Sequence, residues 1–134
     1  MNKQRINSML KGKTEERRWC KKLDLLLPEY SPWIRDWFGG LNQARGDLVP
    51  KRDSESCPFY VECKSRRSVT SWNIKSWWDE TLNKAEAIKK KNILLCVHQT
   101  DGPWLVLTNA RLPAEQLLLA EVLPIYVDFW DVPH

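Results

Sequence analysis

The sequence has few cysteines, and their spacing excludes the common zinc and disulfide frameworks. Four cysteines occur without any C-x-x-C pair: Cys20, Cys57, Cys63 and Cys96. Structural zinc sites need paired ligands a few residues apart. Each cysteine here lies in or beside an apolar segment. We therefore expect reduced thiols, three of them in the core.

The sequence also lacks a long hydrophobic run. No apolar segment approaches the roughly 20 residues of a membrane helix, and the basic N-terminus is not followed by a hydrophobic region. We therefore expect no secretory leader, no membrane partner and a cytoplasmic location. Internal repeats, low-complexity segments and domain boundaries are absent as well. We predict one domain over residues 1–134, with a flexible basic arm at 1–12 and an apolar tail at 121–134.

Positive charge and tryptophan are what the sequence has in excess. The net charge is +4, and basic residues crowd the first 22 positions, which permits a polyanionic partner. Eight tryptophans occur in 134 residues. They suit a core, a subunit interface or a surface on which bases stack, and we expect about two thirds of them in a core or an interface.

Hydrophobic periodicity predicts a mixed α/β domain. One helix over 14–27 ends at Pro28, and a second spans about 77–90 with Ser76 as its N-cap. Strands are predicted at 31–38, 47–50, 59–65, 92–99 and 104–108, followed by a short helix at 113–120 and an extended apolar tail. This order gives a central mixed five-stranded sheet flanked by helices.

The strand at 59–65 carries two opposite charges on one face. Side chains alternate along a strand, so Glu62 and Lys64 lie side by side, about 7 Å apart, opposite an apolar face. One interpretation is an ion pair on an edge strand, worth about 0–1 kcal/mol. The other is a metal-dependent phosphodiesterase, in which Glu62 holds a cation and Lys64 attends the attacking water.

Two further carboxylates favour the second interpretation. Asp47 opens the preceding strand, and antiparallel pairing would bring it against Glu62, where two close carboxylates invite Mg²⁺ or Mn²⁺. On the first helix, Glu16 lies roughly 25° from the centre of the apolar stripe and Glu15 roughly 75°. We therefore expect Glu16 to face the sheet and Glu15 to face solvent. In the alternative, Glu16 pairs with a basic neighbour or reaches solvent.

Three segments in order resemble the PD-(D/E)xK nuclease superfamily: "KGKTEER" on the first helix, "RGDLVP", and "YVECKSRR". They are similar in particular to the small archaeal-type Holliday junction resolvases and their phage relatives. The resemblance implies a restriction-endonuclease-like core and a Mg²⁺-dependent endonuclease, with Mn²⁺ as a substitute, that resolves four-way junctions by paired nicks. It implies that Glu16, Asp47 and Glu62 are catalytic metal ligands, with the Cys63 backbone carbonyl as a further ligand and Lys64 as the catalytic lysine.

The resemblance also implies branched DNA as the substrate, a two-fold homodimer and, for a viral protein, the host cytoplasm. The segment 72–78 and the tail 125–132 are more apolar than a small core needs, which favours a subunit interface; a tail that covers the sheet edge is the equal alternative. No base-reading helix motif is present, so recognition of backbone and shape is expected. The predicted phosphate contacts are Lys11, Lys13, Arg17, Arg45, Lys51, Arg52, Arg66 and Arg67.

Two other functions stay open at this point. The sequence departs from the family pattern at Gly46, where a proline often stands, and in the helix after the E-x-K strand, which lacks a glutamine match. A nuclease of the same fold that cuts linear duplex or flap DNA would carry the same acids. A non-catalytic nucleic-acid-binding protein would use the basic face but has no reason to keep buried acids. His98 ends an apolar strand away from the acids, and we expect a half-buried residue there rather than a ligand.

Overall fold

Helices and strands follow one another in the predicted order. A computed structural model of the chain describes residues 3–36 and 45–127, with side chains from residue 12 onwards. In those ranges the helices are α1 (Lys3–Leu26), α2 (Ser71–Ala87) and α3 (Ala114–Ala120), with a 3₁₀ turn at Pro28–Tyr30. The strands there are β1 (Trp33–Arg35), β2 (Leu48–Pro50), β3 (Phe59–Arg66), β4 (Asn92–Gln99), β5 (Trp104–Thr108) and β6 (Leu123–Tyr126).

The strands of the described ranges form one mixed sheet in the order β1-β2-β3-β4-β5-β6. The pairs β1/β2, β2/β3 and β4/β5 are antiparallel, whereas β3/β4 and β5/β6 are parallel. Parallel neighbours need a crossover connection, and α2 and α3 supply the two crossovers. As a result, α2 passes over the strand that carries the E-x-K motif.

Side chains of β3 alternate between two cores, as the sequence predicts. Val61 packs into a cluster with buried residues of α1. Tyr60 packs on the opposite side, in a cluster with Trp77 and Trp78 of α2. We call these two sides the α1 face and the α2 face. By alternation from Tyr60, Glu62 and the lysine two residues further on belong to the α2 face.

The first helix is longer than predicted. It begins at Lys3 instead of Thr14, so the backbone of residues 3–12, expected as a flexible arm, is helical. This stretch contains no proline and is rich in residues with good helix propensity. The helix ends just before Pro28, as predicted. Among the described residues, none of the helices is both long and apolar enough to cross a bilayer.

The second helix also begins earlier than predicted, and its N-cap is Thr70 rather than Ser76. The Thr70 hydroxyl accepts the N–H of Asn73 at 3.1 Å, and the Asn73 side-chain oxygen accepts the N–H of Thr70 at 3.1 Å. This capping box satisfies two backbone donors at the helix start, so the helix begins at Ser71. The added turn carries Trp72, which is 77% exposed.

The sheet has six strands in the described ranges, so the prediction of five is wrong. The sixth, β6, comes from the apolar tail and pairs with β5 at the sheet edge. Pro124 is tolerated there because an edge strand pairs along one side only. The observed β1 covers only the middle of the predicted first strand; positions 37 and 38 lie outside the described residues, as does the tail beyond residue 127.

Candidate active site

Asp47 is fixed just before β2 and directly against β3. Its N–H donates to the Val61 carbonyl at 2.7 Å, and its Oδ2 accepts the N–H of Cys63 at 2.8 Å. Gly46 makes this approach possible, because its φ is +100° and a Cβ there would lie 2.7 Å from the Val61 oxygen. Any other residue at this position would have an unfavourable positive φ, and its Cβ would clash with the Val61 carbonyl. The glycine that stands in place of the family's frequent proline therefore has a local structural reason.

Glu62 is buried on the α2 face and is bonded through one of its oxygens. Its Oε1 accepts the Tyr60 hydroxyl at 3.0 Å and the Lys84 ammonium at 3.2 Å. Only 8% of the Glu62 side chain is exposed, against 40% of the Lys84 side chain. Glu62 is thus sheltered from solvent, while the lysine that contacts it lies at the surface of α2.

The surroundings of Asp47 oppose its ionisation. Burial raises the pKa of Asp47 to about 7, and the negative charge of Glu62 adds to this rise. The bond from the Cys63 N–H acts in the opposite direction, and the charge of Glu16 adds a smaller increase. Leu48 is the antiparallel register partner of Val61, so the preceding Asp47 stands opposite Glu62. The structure therefore brings Asp47 and Glu62 together, as pairing of their strands predicts.

Glu16 reaches the sheet from the α1 face, as expected. Its Oε2 lies 2.6 Å from Nε of Arg35, the last residue of β1. It therefore pairs with a basic residue, which is the alternative left open by the sequence, although the partner lies far along the chain. Glu62 is on the opposite face. Across residues 3–36 and 45–127, no three His, Cys, Asp or Glu side chains are gathered closely enough to hold a metal ion.

Glu15 faces the protein interior, and the prediction that it faces solvent is wrong. It is buried, and its Oε2 lies 3.0 Å from Nδ1 of His98. The buried stripe of α1 runs at four-residue intervals through Glu15, Trp19 and Leu23. Cys20, on which the angular estimate partly depends, is only half-buried, so the true stripe lies closer to Glu15.

His98 is buried rather than half-buried, and its acidic partner is Glu15 rather than one of the predicted metal ligands. Besides its bond to Glu15, its ring stacks on Trp104, with centroids 3.7 Å apart and planes inclined by 8°. His98 shares the α1 face with Ser65, its register partner on β3. The sequence gives no local signal for this pairing, because 83 positions separate His98 from Glu15.

Lys64 joins Glu62 in a chain of alternating charges on the α2 face. The pKa of Glu80 is lowered, chiefly by its bond with Lys84 and next by the positive charge of Lys64. The Lys84 ammonium lies 3.1 Å from Glu80 and also contacts Glu62. Sequence reasoning missed Glu80 and Lys84. Their spacing of four residues on a predicted helix was the available signal.

A cleft with a volume of about 370 Å³ opens between α1 and the end of β3. Glu16 and Cys63 line it, together with the exposed Arg66 and Arg67. Guanidinium groups bind phosphate oxygens well, so one predicted metal ligand, Glu16, and two cations that suit phosphate meet at this opening. Asp47 and Glu62 are not among the residues that line it. That the Cys63 carbonyl binds a metal stays a prediction.

The residues predicted to contact phosphate differ in their surroundings: some contact other side chains of the protein, and others are exposed to solvent. Arg45 is committed to Asp36, with Nη2 2.7 Å from Oδ1, and this bond raises the pKa of its guanidinium. The Arg66 guanidinium lies over the ring of Trp77, 5.4 Å from its centre. Lys13, Arg17, Lys51, Arg52 and Arg67 are exposed, whereas the side chain of Lys11 lies outside the described residues. DNA contact by these residues stays a prediction.

The pair of Asp47 and Glu62 fits a hard divalent cation. Both side chains offer oxygen, the ligand atom that Mg²⁺ and Mn²⁺ prefer. Burial and the negative charge of Glu62 raise the pKa of Asp47, and a cation between the two carboxylates would offset that charge. Two carboxylates are also a usual protein contribution to a Mg²⁺ site, because the ion keeps several waters.

The chain matches a known protein family over most of its length. Residues 7–127 match the family model described as "Phage putative PDDEXK endonuclease". This range contains all four predicted catalytic residues and every strand of the described sheet. Neither a curated protein nor a solved structure gives a significant match.

Proposed function

The chain belongs to the family described as phage putative PDDEXK endonuclease, and from that premise we propose that it is a Mg²⁺-dependent endonuclease that resolves four-way DNA junctions by paired nicks. The observation that carries the proposal is the pairing of two acids: Asp47 lies against β3 opposite Glu62, and burial together with the negative charge of Glu62 raises the pKa of Asp47. An isolated structural ion pair would give no reason for two carboxylates to converge. We expect the protein to act in the cytoplasm of the host cell.

Asp47 and Glu62 would hold the Mg²⁺, or Mn²⁺ as its substitute. The resemblance adds Glu16 and the Cys63 carbonyl to the ligand set; Glu16 approaches from the α1 face, and its charge acts on Asp47. When bound, the cation supplies a water of lowered pKa and offsets the charge that builds on the scissile phosphate. Glu16 keeps Arg35 on its Oε2, so Oε1 is the oxygen that it would offer.

Lys64 would approach the scissile phosphate from the α2 face. It lies on the same strand and the same face as Glu62, so a phosphate bound beside Glu62 comes within its reach. Its ammonium would orient the attacking water and stabilise the negative charge of the transition state. The positive charge of Lys64 contributes to the lowered pKa of Glu80, and the attraction between the two would keep this ammonium near the site.

Branched DNA is proposed as the substrate because the three sequence motifs resemble those of junction resolvases. Exposed basic residues line the cleft beside Glu16, where a DNA backbone would pass. The exposed ring of Trp72 offers a surface on which an unpaired base at a branch point can stack. These features support a substrate with accessible bases as well as phosphates.

A homodimer is proposed because two strands must be cut in one junction. The exposed apolar residues Leu118 and Leu119 on α3 and Leu123 on β6 lie beside the sheet edge. Exposed leucines next to an edge strand suit the pairing of two copies. Light scattering at micromolar concentration checks this: a dimer is expected, and a monomer in the presence of DNA would contradict paired cutting.

The test of the proposed function is a gel cleavage assay. An immobile four-way junction and a matched linear duplex, each labelled at one 5′ end, are incubated with Mg²⁺ or EDTA. The proteins compared are wild type, Glu62→Ala and Glu86→Ala, the last being an exposed residue of α2 outside the site. Symmetric nicks in the junction are expected from wild type and Glu86→Ala, and no cleavage from Glu62→Ala or with EDTA.

The other outcomes are equally informative. Cleavage of the duplex as well as the junction would replace the resolvase proposal by a broader nuclease of the same fold. Cleavage by Glu62→Ala at the wild-type rate would overturn the assignment of the site. Tight DNA binding without cleavage in either Mg²⁺ or Mn²⁺ would mean that the acids serve the structure.

A further inference from the structure

Glu62 already has a cationic partner within the protein. The ammonium of Lys84 lies 3.2 Å from its Oε1, and Lys84 is supplied by α2, the helix that crosses over the α2 face. Both the ammonium and a divalent cation draw their stability from the same carboxylate. Two cations held at one carboxylate repel each other, so the lysine and the metal compete for Glu62.

Lys84 has a second acidic partner on its own helix. Its ammonium lies 3.1 Å from Oε1 of Glu80, one turn earlier, and Glu80 is about half-exposed. The 40% exposure of the Lys84 side chain leaves it room to move at the helix surface. A small rotation of the lysine stem would keep the bond to Glu80 while it gives up Glu62.

We propose that Lys84 is the resident counter-ion of Glu62: it neutralises this carboxylate in the metal-free protein, yields it to a divalent cation by shifting onto Glu80, and so sets the affinity of the site for metal. The inference rests on the proposed function, since it assumes that Glu62 binds the cation. Lys84 acts through Glu62 and is therefore a positioning residue rather than a catalytic one.

The proposal predicts that removal of Lys84 increases the affinity of the site for metal. Loss of an ordinary structural contact would disorder Glu62 and weaken metal binding. Removal of a competing positive charge tightens it instead, by roughly tenfold for one charge near a dication in a partly solvated setting. Removal of Glu80 takes away the second partner of Lys84 and holds the lysine on Glu62. Metal binding then weakens, by roughly threefold.

The experiment is calorimetric titration of the metal-free, DNA-free protein with MnCl₂. Lys84→Met keeps most of the lysine stem, and Lys91→Met is its control, because Lys91 is exposed and precedes β4. Glu80→Gln is matched by Glu86→Gln on the same helix. Tighter binding is expected for Lys84→Met and weaker binding for Glu80→Gln, while both controls stay within about twofold of wild type.

Several results would overturn the proposal. Unchanged or weaker Mn²⁺ binding by Lys84→Met would mean that the lysine does not compete with the metal. If Lys84→Met folds poorly, Lys84→Gln, which is neutral but can still donate a hydrogen bond to Glu62, must show the same tightening. A wild-type protein that binds Mn²⁺ with an unaffected Lys84→Met refutes this inference alone. A wild-type protein that binds no Mn²⁺ refutes the proposed function together with it.

Discussion

The two faces of the sheet each hold a buried glutamate, and they use it differently. On the α1 face, Glu15 bonds His98, whose ring is stacked on Trp104. On the α2 face, Glu62 bonds Tyr60 and a partly exposed Lys84, and a second carboxylate, Asp47, lies beside it. Glu15 pairs with the ring of His98 and lines the cleft beside Glu16, whereas Glu62 has an additional acid beside it that raises the local negative charge. The comparison teaches that convergence of acids, rather than burial of an acid, marks the candidate active site.

The largest effect is expected from removal of charge on the α2 face. Glu62→Gln should lower the cleavage rate by roughly 10³-fold, because the site loses a metal ligand. The shape of the side chain is kept, so the midpoint of thermal unfolding should move by no more than about 3 °C. Single-turnover cleavage and calorimetry of the same preparation measure both. If Glu62→Gln lost stability as well as activity, Glu62 would have a structural role like that expected for Glu15, and the contrast between the two glutamates would be wrong.

The next effect concerns Gly46, which allows Asp47 to lie close to β3. Gly46→Ala should cost about 1–3 kcal/mol of unfolding free energy and also reduce cleavage, because the strained residue pushes Asp47 away from β3. Gly12→Ala is the control: nothing lies within 4 Å of a Cβ there, and the residue is inside α1. This variant should gain roughly 0.5–1 kcal/mol. Urea unfolding checks both signs, and a neutral Gly46→Ala would show that Asp47 does not depend on this turn.

On the α1 face, the expected effect is on stability alone. Glu15→Gln should lower the unfolding free energy by roughly 1–3 kcal/mol, because a buried bond to His98 is weakened. Cleavage per folded molecule should stay within about threefold of wild type. Glu86→Gln, an exposed change on α2, should alter neither quantity. Loss of activity in a fully stable Glu15→Gln protein would place this pair in the active site after all.

The last effect is a pH dependence of stability that belongs to Asp47. Its pKa is raised by burial and by Glu62 from 3.8 to about 7, so the folded, metal-free protein binds more protons than the unfolded chain between these values. The unfolding free energy contributed by Asp47 is therefore highest below about pH 4 and falls as the pH rises to 7. The loss should be on the order of 2 kcal/mol, less than the full shift implies, because Asp47 is partly exposed.

Asp47→Asn isolates this contribution. In EDTA, urea unfolding at pH 4.5 and 7.5 should give a smaller decrease for the variant than for wild type. Addition of Mn²⁺ should reverse the trend in wild type, because the cation binds the ionised carboxylate. The same pH slope in both proteins would show that another group titrates.

The sequence predicts the parts of the site that depend on local rules. Strand alternation places Glu62 and Lys64 on one face, and antiparallel pairing brings Asp47 to Glu62, as observed. Glu15 was predicted on the wrong side of α1, because a helical angle estimated from a short stripe shifts when one of its members is only half-buried. Such estimates separate adjacent residues poorly when few residues define the stripe.

The partners supplied across long sequence distances could not be predicted. Lys84 reaches Glu62 only because α2 crosses over β3, and Arg35 meets Glu16 only because β1 lies under α1. The sixth strand likewise depends on a sheet edge that exists only after β5 has formed. These features are set by topology, which the motif spacing does not encode. The extent of the domain, residues 1–134, stays a prediction.

The most direct test of the central claim is an anomalous difference map from a crystal of the protein soaked in MnCl₂. The account predicts one strong manganese peak between the carboxylates of Asp47 and Glu62, with the Lys84 ammonium displaced toward Glu80. A peak beside Glu15 and His98, or no peak at Asp47 and Glu62 in a well-diffracting crystal, would contradict it.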